Sequence, residues 1–73
     1  MTEVALDEDA PAAGKLLNDL GLPGKSFVAA VIRDGEVVPP RGEVLLRVAD
    51  RLLLIALPEN QEEILRILSG QEA

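Results

Sequence analysis

This chain has no cysteine, histidine or tyrosine, and its only hydroxyls are those of Thr2, Ser26 and Ser69, so its inventory of nucleophiles is nearly empty. Ser26 sits in a turn ahead of an apolar run and has no base to activate it, which makes it a turn or capping residue. Ser-His-Asp and Cys-His mechanisms are excluded by composition within the chain. Asp7-Glu8-Asp9 offers oxygen ligands to a hard cation, but consecutive carboxylates do not converge without further ligands and a glycine-pinned loop. A solvated charged turn is the expectation there. Glu59, Glu62 and Glu63 follow Pro58, where a helix dipole favours acids. Asp50 lies in a turn between apolar segments, placed to accept hydrogen bonds from backbone amides and not to act as a general acid. No catalytic residue and no metal ligand is assigned, and the chain reads as a binding or regulatory module, not an enzyme.

The cations are few. Arg33 ends an apolar run, so its guanidinium could meet an anion at a sheet edge or a dimer groove. The plainer expectation is a surface pair with Asp34 or Glu36 across a hairpin. Arg41, Arg47 and Arg51 read as surface charge, with Arg41 following a Pro-Pro bend at a place suited to a pocket rim. Gly21, Gly24, Gly35 and Gly42 are scattered over turns and match neither the dinucleotide nor the Walker pattern.

The elements that must position these residues can be read from period and punctuation. Val4 and Leu6, two apart, give a weak strand signal that Asp7-Glu8-Asp9 breaks. Pro11 can open a helix, and Ala13, Leu16, Leu17 and Leu20 fall on one face of it, with Gly21 as a left-handed stop and Pro23 barring continuation. Phe27–Ile32 is apolar on both faces, the pattern of a central strand covered on each side. Asp34-Gly35 predicts a two-residue hairpin into Glu36–Val38, ended by Pro39 and Pro40. Val44–Leu46 is ambiguous between a short strand and a turn. Arg51–Leu57 reads as a second apolar strand. Pro58 then opens a helix with Ile64, Leu65, Ile67 and Leu68 as its buried stripe and Gly70 as its stop, leaving residues 71–73 frayed. The order is β-α-β-β-(β)-β-α, an α+β fold with a small, mostly antiparallel sheet and two helices.

Seventy-three residues make one domain, 1–73. A chain this short buries only about 60% of its unfolded surface. Yet 48% of its residues are hydrophobic, more than one small core absorbs. Association with a second copy is the natural remedy, since neither a disulfide nor a histidine-held metal is available. Thirteen acids against seven bases give a net charge of −6, which opposes binding to a nucleic-acid polymer. The longest apolar runs fall far short of the roughly 18 residues of a membrane helix. The start of the chain has neither a basic region nor an apolar signal core, so a soluble piece is expected.

Taken in order, Gly14-Lys15, Leu17, Leu20, Leu22-Pro23, Val31-Ile32-Arg33-Asp34-Gly35, Pro40-Arg41-Gly42, Asp50-Arg51-Leu52-Leu53 and Pro58-Glu59 resemble the RCK C-terminal, or TrkA-C, domain over about Val4 to Leu68. The resemblance implies a cytoplasmic regulatory domain, in some cases the soluble end of an inner-membrane protein. Such domains serve potassium channels, potassium-uptake complexes and cation/proton antiporters. It also implies a homodimer and, in several relatives, a small effector between subunits: cyclic di-AMP, or metal ions in others. In relatives that bind cyclic di-AMP, the strand before the hairpin lines the pocket. Carried onto this chain, that implies Val28, Ala29, Val31 and Arg33 as effector-binding residues, although those aliphatics serve equally well as core. No cofactor is implied, and the dinucleotide-binding half of many relatives is not in this chain. Ala49 stands where the family usually has Gly, which puts the turn before Asp50 in question. A ligand-free dimerisation module of a larger transporter is the alternative.

Overall fold

The computed structural model describes residues 2–70. Its centre is a four-stranded sheet of β1 (Thr2–Ala5), β2 (Phe27–Arg33), β3 (Glu36–Val38) and β4 (Arg51–Ile55), in the spatial order β1-β4-β2-β3. Every neighbouring pair is antiparallel. The chain closes with α1 (Gln61–Ser69), entered through a 3-10 turn at Pro58–Asn60 and ended by Gly70 at φ 74°. The α+β class and the antiparallel sheet are as expected. The Asp34-Gly35 hairpin forms with φ of 53° and 77°, both left-handed, as a two-residue turn with right-twisted strands requires. The expectation for residues 71–73 lies outside the described residues.

The first expected helix is not an α-helix. Only Leu17–Asp19 closes a 3-10 turn, and turns precede it. Gly14 takes φ 90°, which interrupts any helical run. The backbone groups of this segment pair instead with the stretch between β3 and β4. Gly14 N–H donates to Leu46 O at 2.8 Å, and Leu46 N–H to Lys15 O at 2.9 Å. Leu17 N–H donates to Val44 O at 2.9 Å, and Asn18 N–H to Gly42 O at 3.0 Å. The two irregular segments thus satisfy each other as a ribbon, with Leu16 and Leu45 as bridge partners. The long-range partner outweighs a local helical preference that two turns could not sustain alone.

Helix and ribbon cover one side of the sheet. Val4, Val31, Leu52 and Leu54 point to that side and meet Leu6, Ala12, Leu20, Leu46, Ile64 and Leu68 in one buried cluster. The other side of the sheet carries no layer from the described residues. Cross-strand partners share a face, so Phe27 opposite Ile55, Ala30 opposite Leu53, and Ile32 opposite Arg51 and Val37 all belong to it. Phe27 is 55% exposed, Val37 67% and Ile55 43%. The strands that read as apolar on both faces are therefore covered on one.

Candidate functional site: the Arg33–Asp50 clasp and the open sheet face

Alternation along β2 turns Arg33 to the same side as Val31, and alternation back from Leu54 and Leu52 brings Asp50 to that side as well. The β2–β4 register, with Val31 opposite Leu52 and Ile32 opposite Arg51, sets the two residues across from one another. Arg33 Nε donates to Asp50 Oδ1 at 2.9 Å and Nη2 to Oδ2 at 2.8 Å, a bidentate pair. The second Nη2 hydrogen reaches Leu45 O at 2.9 Å, and Arg47 N–H donates to Asp50 Oδ2 at 2.9 Å. Asp50 is 1% exposed, and the Arg33 side chain 22%. The clasp ties the end of β2 to the 45–50 turn and to the entry of β4.

The hydrogen bond from Arg33 is the main reason the Asp50 carboxyl is held below the ordinary carboxylate range; burial opposes this, and Arg47 N–H reinforces it. Reciprocally, the bond to Asp50 raises the Arg33 guanidinium further above its ordinary value. Ala49, one residue earlier, takes φ 77°. The turn before Asp50 thus keeps a left-handed geometry although the residue is not glycine. Ala49 N–H donates to Leu6 O at 2.7 Å, which helps hold it there.

The four residues implied as an effector wall are separated by these contacts. Val31 is fully buried in the core between the sheet and its helical layer, the core role that its aliphatic side chain equally allowed. Ala29 is the extra residue where the β2–β4 register shifts between Val28 and Ala30. Val28 is half-buried and, with Leu17, Leu22, Phe27 and Pro40, lines an open concavity of about 240 Å³. Arg33 pairs with neither Asp34 nor Glu36; Asp50 takes it.

Sequence reasoning missed Asp50 as that partner. The available signal was its inward position, because an acid in register with core leucines needs a buried counter-charge. Of the remaining candidates, Asp7, Glu8, Asp9, Glu59, Glu62 and Glu63 are all exposed. Asp7 Oδ1 accepts from Asp9 N–H at 2.9 Å, a local turn bond. Ser26 Oγ is buried with no hydrogen-bond partner, so it does not serve as a cap. Among the described residues no group of three or more metal-ligating side chains forms, and no helix is long and apolar enough to cross a membrane.

A four-stranded antiparallel sheet layered on one side, with an Arg-Asp clasp at its hairpin end, defines a small non-Rossmann α+β module with its other apolar face open. The TrkA-C domain family model matches residues 1–69, and the chain belongs to that family. It is 31% identical over 64 residues to the Trk system potassium uptake protein trkA homolog 1 of Methanosarcina mazei, covering 88% of this chain and 16% of that protein. It is 36% identical over 62 residues to the TrkA homolog of Archaeoglobus fulgidus, covering 85% and 14%. To TrkA of Mycobacterium tuberculosis it is 31% identical over 68 residues, covering 93% and 31%. The chain thus spans less than a third of each of these relatives. A solved chain described as "Structure of RCK domain with cda" superposes with a TM-score of 0.76 at 25% identity, covering 93% of this chain and 96% of that one.

Proposed function

We propose that this chain is a regulatory domain of a potassium or other cation transport system, acting as a homodimer that joins through the open sheet face. The observation that carries this reading is that face: Phe27 and its cross-strand partner Ile55 are exposed at one end and Val37 at the other, with the half-buried Ala30, Ile32 and Leu53 between them, on strands whose opposite surface is core. Contiguous apolar patches of this kind mark association surfaces. Charge permits self-association there. The chain carries −6 overall, but the charged residues on this face, Glu3 and Arg51, pair with each other at 3.5 Å and cancel. Two copies can therefore meet without like charges opposing one another. The potassium-uptake names of the relatives support the transport context.

A small effector received between the two copies, cyclic di-AMP among those the family resemblance implies, would be read as a change in how the copies sit. Any such shift requires different affinity for the two arrangements. Val28, Ala29 and Arg33 are the residues of the implied wall that remain partly exposed. The second reading is a dimerisation module without a ligand: the concavity beside Val28 holds about 240 Å³, below the roughly 300 Å³ at which small-molecule sites begin, although a concavity lined by Ile32, Asp34, Gly35, Ala49 and Arg51 holds about 360 Å³.

Light scattering across a concentration series tests the dimer. The expected result is a dimer for the natural chain and a folded monomer for Ile55→Glu. A well-folded monomer at high concentration would overturn the reading. Titration calorimetry of the verified dimer with cyclic di-AMP then separates the two versions, heat of binding favouring the effector and its absence the ligand-free module.

A further inference from the structure

Strand register lays out the open sheet face in rows of outward side chains. Phe27 lies beside Ile55 in the first row, and Ala30 beside Leu53 and Glu3 in the second. Ile32 lies between Arg51 and Val37 in the third. In the strand order β1-β4-β2-β3 the apolar positions centre on β2, with Ile55 and Leu53 to one side and Val37 to the other. The charges stand off that centre, Arg51 on β4 and Glu3 on the edge strand β1. The Asp34-Gly35 turn lies just past the third row, at the end that holds Arg51.

Two copies packed through like surfaces are related by a twofold axis, and aligned packing of the two sheets leaves two directions for it. An axis across the strands, through the second row, lays Glu3 over its own copy and Arg51 over Ile55. That opposes like charges and sets a guanidinium on apolar surface. An axis along β2 lays Phe27 and Ile32 over their own copies and carries Arg51 of each copy to the other's β3 side. There the arginine stem covers Val37, the most exposed apolar residue of the face. Its guanidinium comes to the hairpin that carries Asp34.

The groups this needs are not otherwise engaged. Arg51 Nη1 lies 3.5 Å from Glu3 Oε1, longer than a good hydrogen bond. Asp34 enters no ion pair among the described residues. Between Arg51, Ile32 and Asp34 a concavity of about 360 Å³ leaves room at that end for a long side chain from the facing copy.

We infer that two copies join with the twofold axis along β2, so that Arg51 of each pairs with Asp34 of the other. The inference rests on the reading of the open face as a dimer surface and adds how the copies are oriented. Apolar contact along β2 supplies the attraction, and the two reciprocal ion pairs select this orientation over the crossed one.

The chain lacks cysteine, so a single introduced thiol reports one position. Light scattering first establishes that the natural chain and each cysteine variant are dimers. A short bis-maleimide is then expected to join Ile32→Cys to its own copy and to leave Glu3→Cys unlinked. Linkage of Glu3→Cys, or failure of Ile32→Cys to link, in verified dimers would overturn the inference while the dimer reading stands. A folded natural chain that stays monomeric at high concentration would remove both. Asp34→Asn leaves the apolar rows whole and suits the left-handed φ of 53° at that position. It is expected to raise the dimer dissociation constant about fivefold, with the gap from the natural chain narrowing as salt is added. An unchanged dissociation constant would overturn the pairing of Arg51 with Asp34.

Discussion

The two faces of the sheet are made by the same strands and are both apolar, yet they have opposite fates. Val31, Leu52 and Leu54 on one face are wholly buried, whereas Phe27 and Ile55 on the other are about half exposed. The difference lies in what the rest of the chain can supply. One nine-residue helix and one irregular ribbon are enough to cover a single face. Hydrophobic content therefore marks where burial is needed, and topology decides which part of that need is met within the chain.

Adjacent residues of β4 give the strongest way to break this comparison. Leu54→Ala is expected to cost about 3–5 kcal/mol from lost transfer energy and a residual cavity. In a domain whose whole stability is on the order of 4–11 kcal/mol, much of the chain would unfold. Ile55→Ala is expected to cost less than about 1 kcal/mol under monomeric conditions, because little apolar contact is lost at an open surface. Urea denaturation of both variants measures the contrast. Equal losses would mean that the outer face is already covered in the species studied.

The two ion pairs sharpen the same contrast at smaller amplitude. Arg33→Ala leaves Asp50 buried without its partner and is expected to cost about 3 kcal/mol, the lower end for broken buried pairs since Arg33 is partly exposed. Glu3→Gln removes the pair between Glu3 and Arg51, both more than a third exposed, and is expected to change stability by less than about 0.5 kcal/mol. Acid titration adds the sign. Asp50 has a folded pKa below its unfolded one. Its contribution is therefore fully present above the ordinary carboxylate pKa and is lost as pH falls through the depressed folded value. The urea midpoint should hold near neutrality and decline below about pH 4, and Asp50→Asn, though less stable at neutral pH, should show a weaker decline.

A small effect of the opposite sign is expected at Ala49. Its φ of 77° is left-handed, and the residue is exposed, so glycine relieves the strain without losing packing. Removing about 1–2 kcal/mol of left-handed strain, less the greater flexibility of glycine in the unfolded chain, predicts a net gain of about 0.5 kcal/mol in Ala49→Gly. Thermal denaturation reads it as a small rise in Tm.

Strand positions, the Asp34-Gly35 hairpin and the final helix were legible because each rests on neighbours in the chain: short apolar runs, a residue pair that accepts positive φ, and a Pro-to-Gly frame. The first helix was misread for the converse reason. Ala13, Leu16, Leu17 and Leu20 have helical spacing, but their segment's backbone finds partners at Gly42, Val44 and Leu46, residues more than twenty positions away. In the candidate site, the inward alternation of Arg33 was readable in principle. Its partner was not found, because Asp34 and Glu36 lie nearer in sequence and only the β2–β4 register brings Asp50 opposite.

From its own residues the chain determined a small α+β domain without cysteine, histidine or tyrosine, with surplus aliphatic surface and a sharp hairpin, since composition and short-range geometry dictate these. Only the tertiary structure decided which face of the sheet keeps that surplus, that Val31 is core, and that Arg33 is neutralised by a buried carboxylate. Those outcomes depend on strand order and register, which are set by contacts between residues remote in sequence.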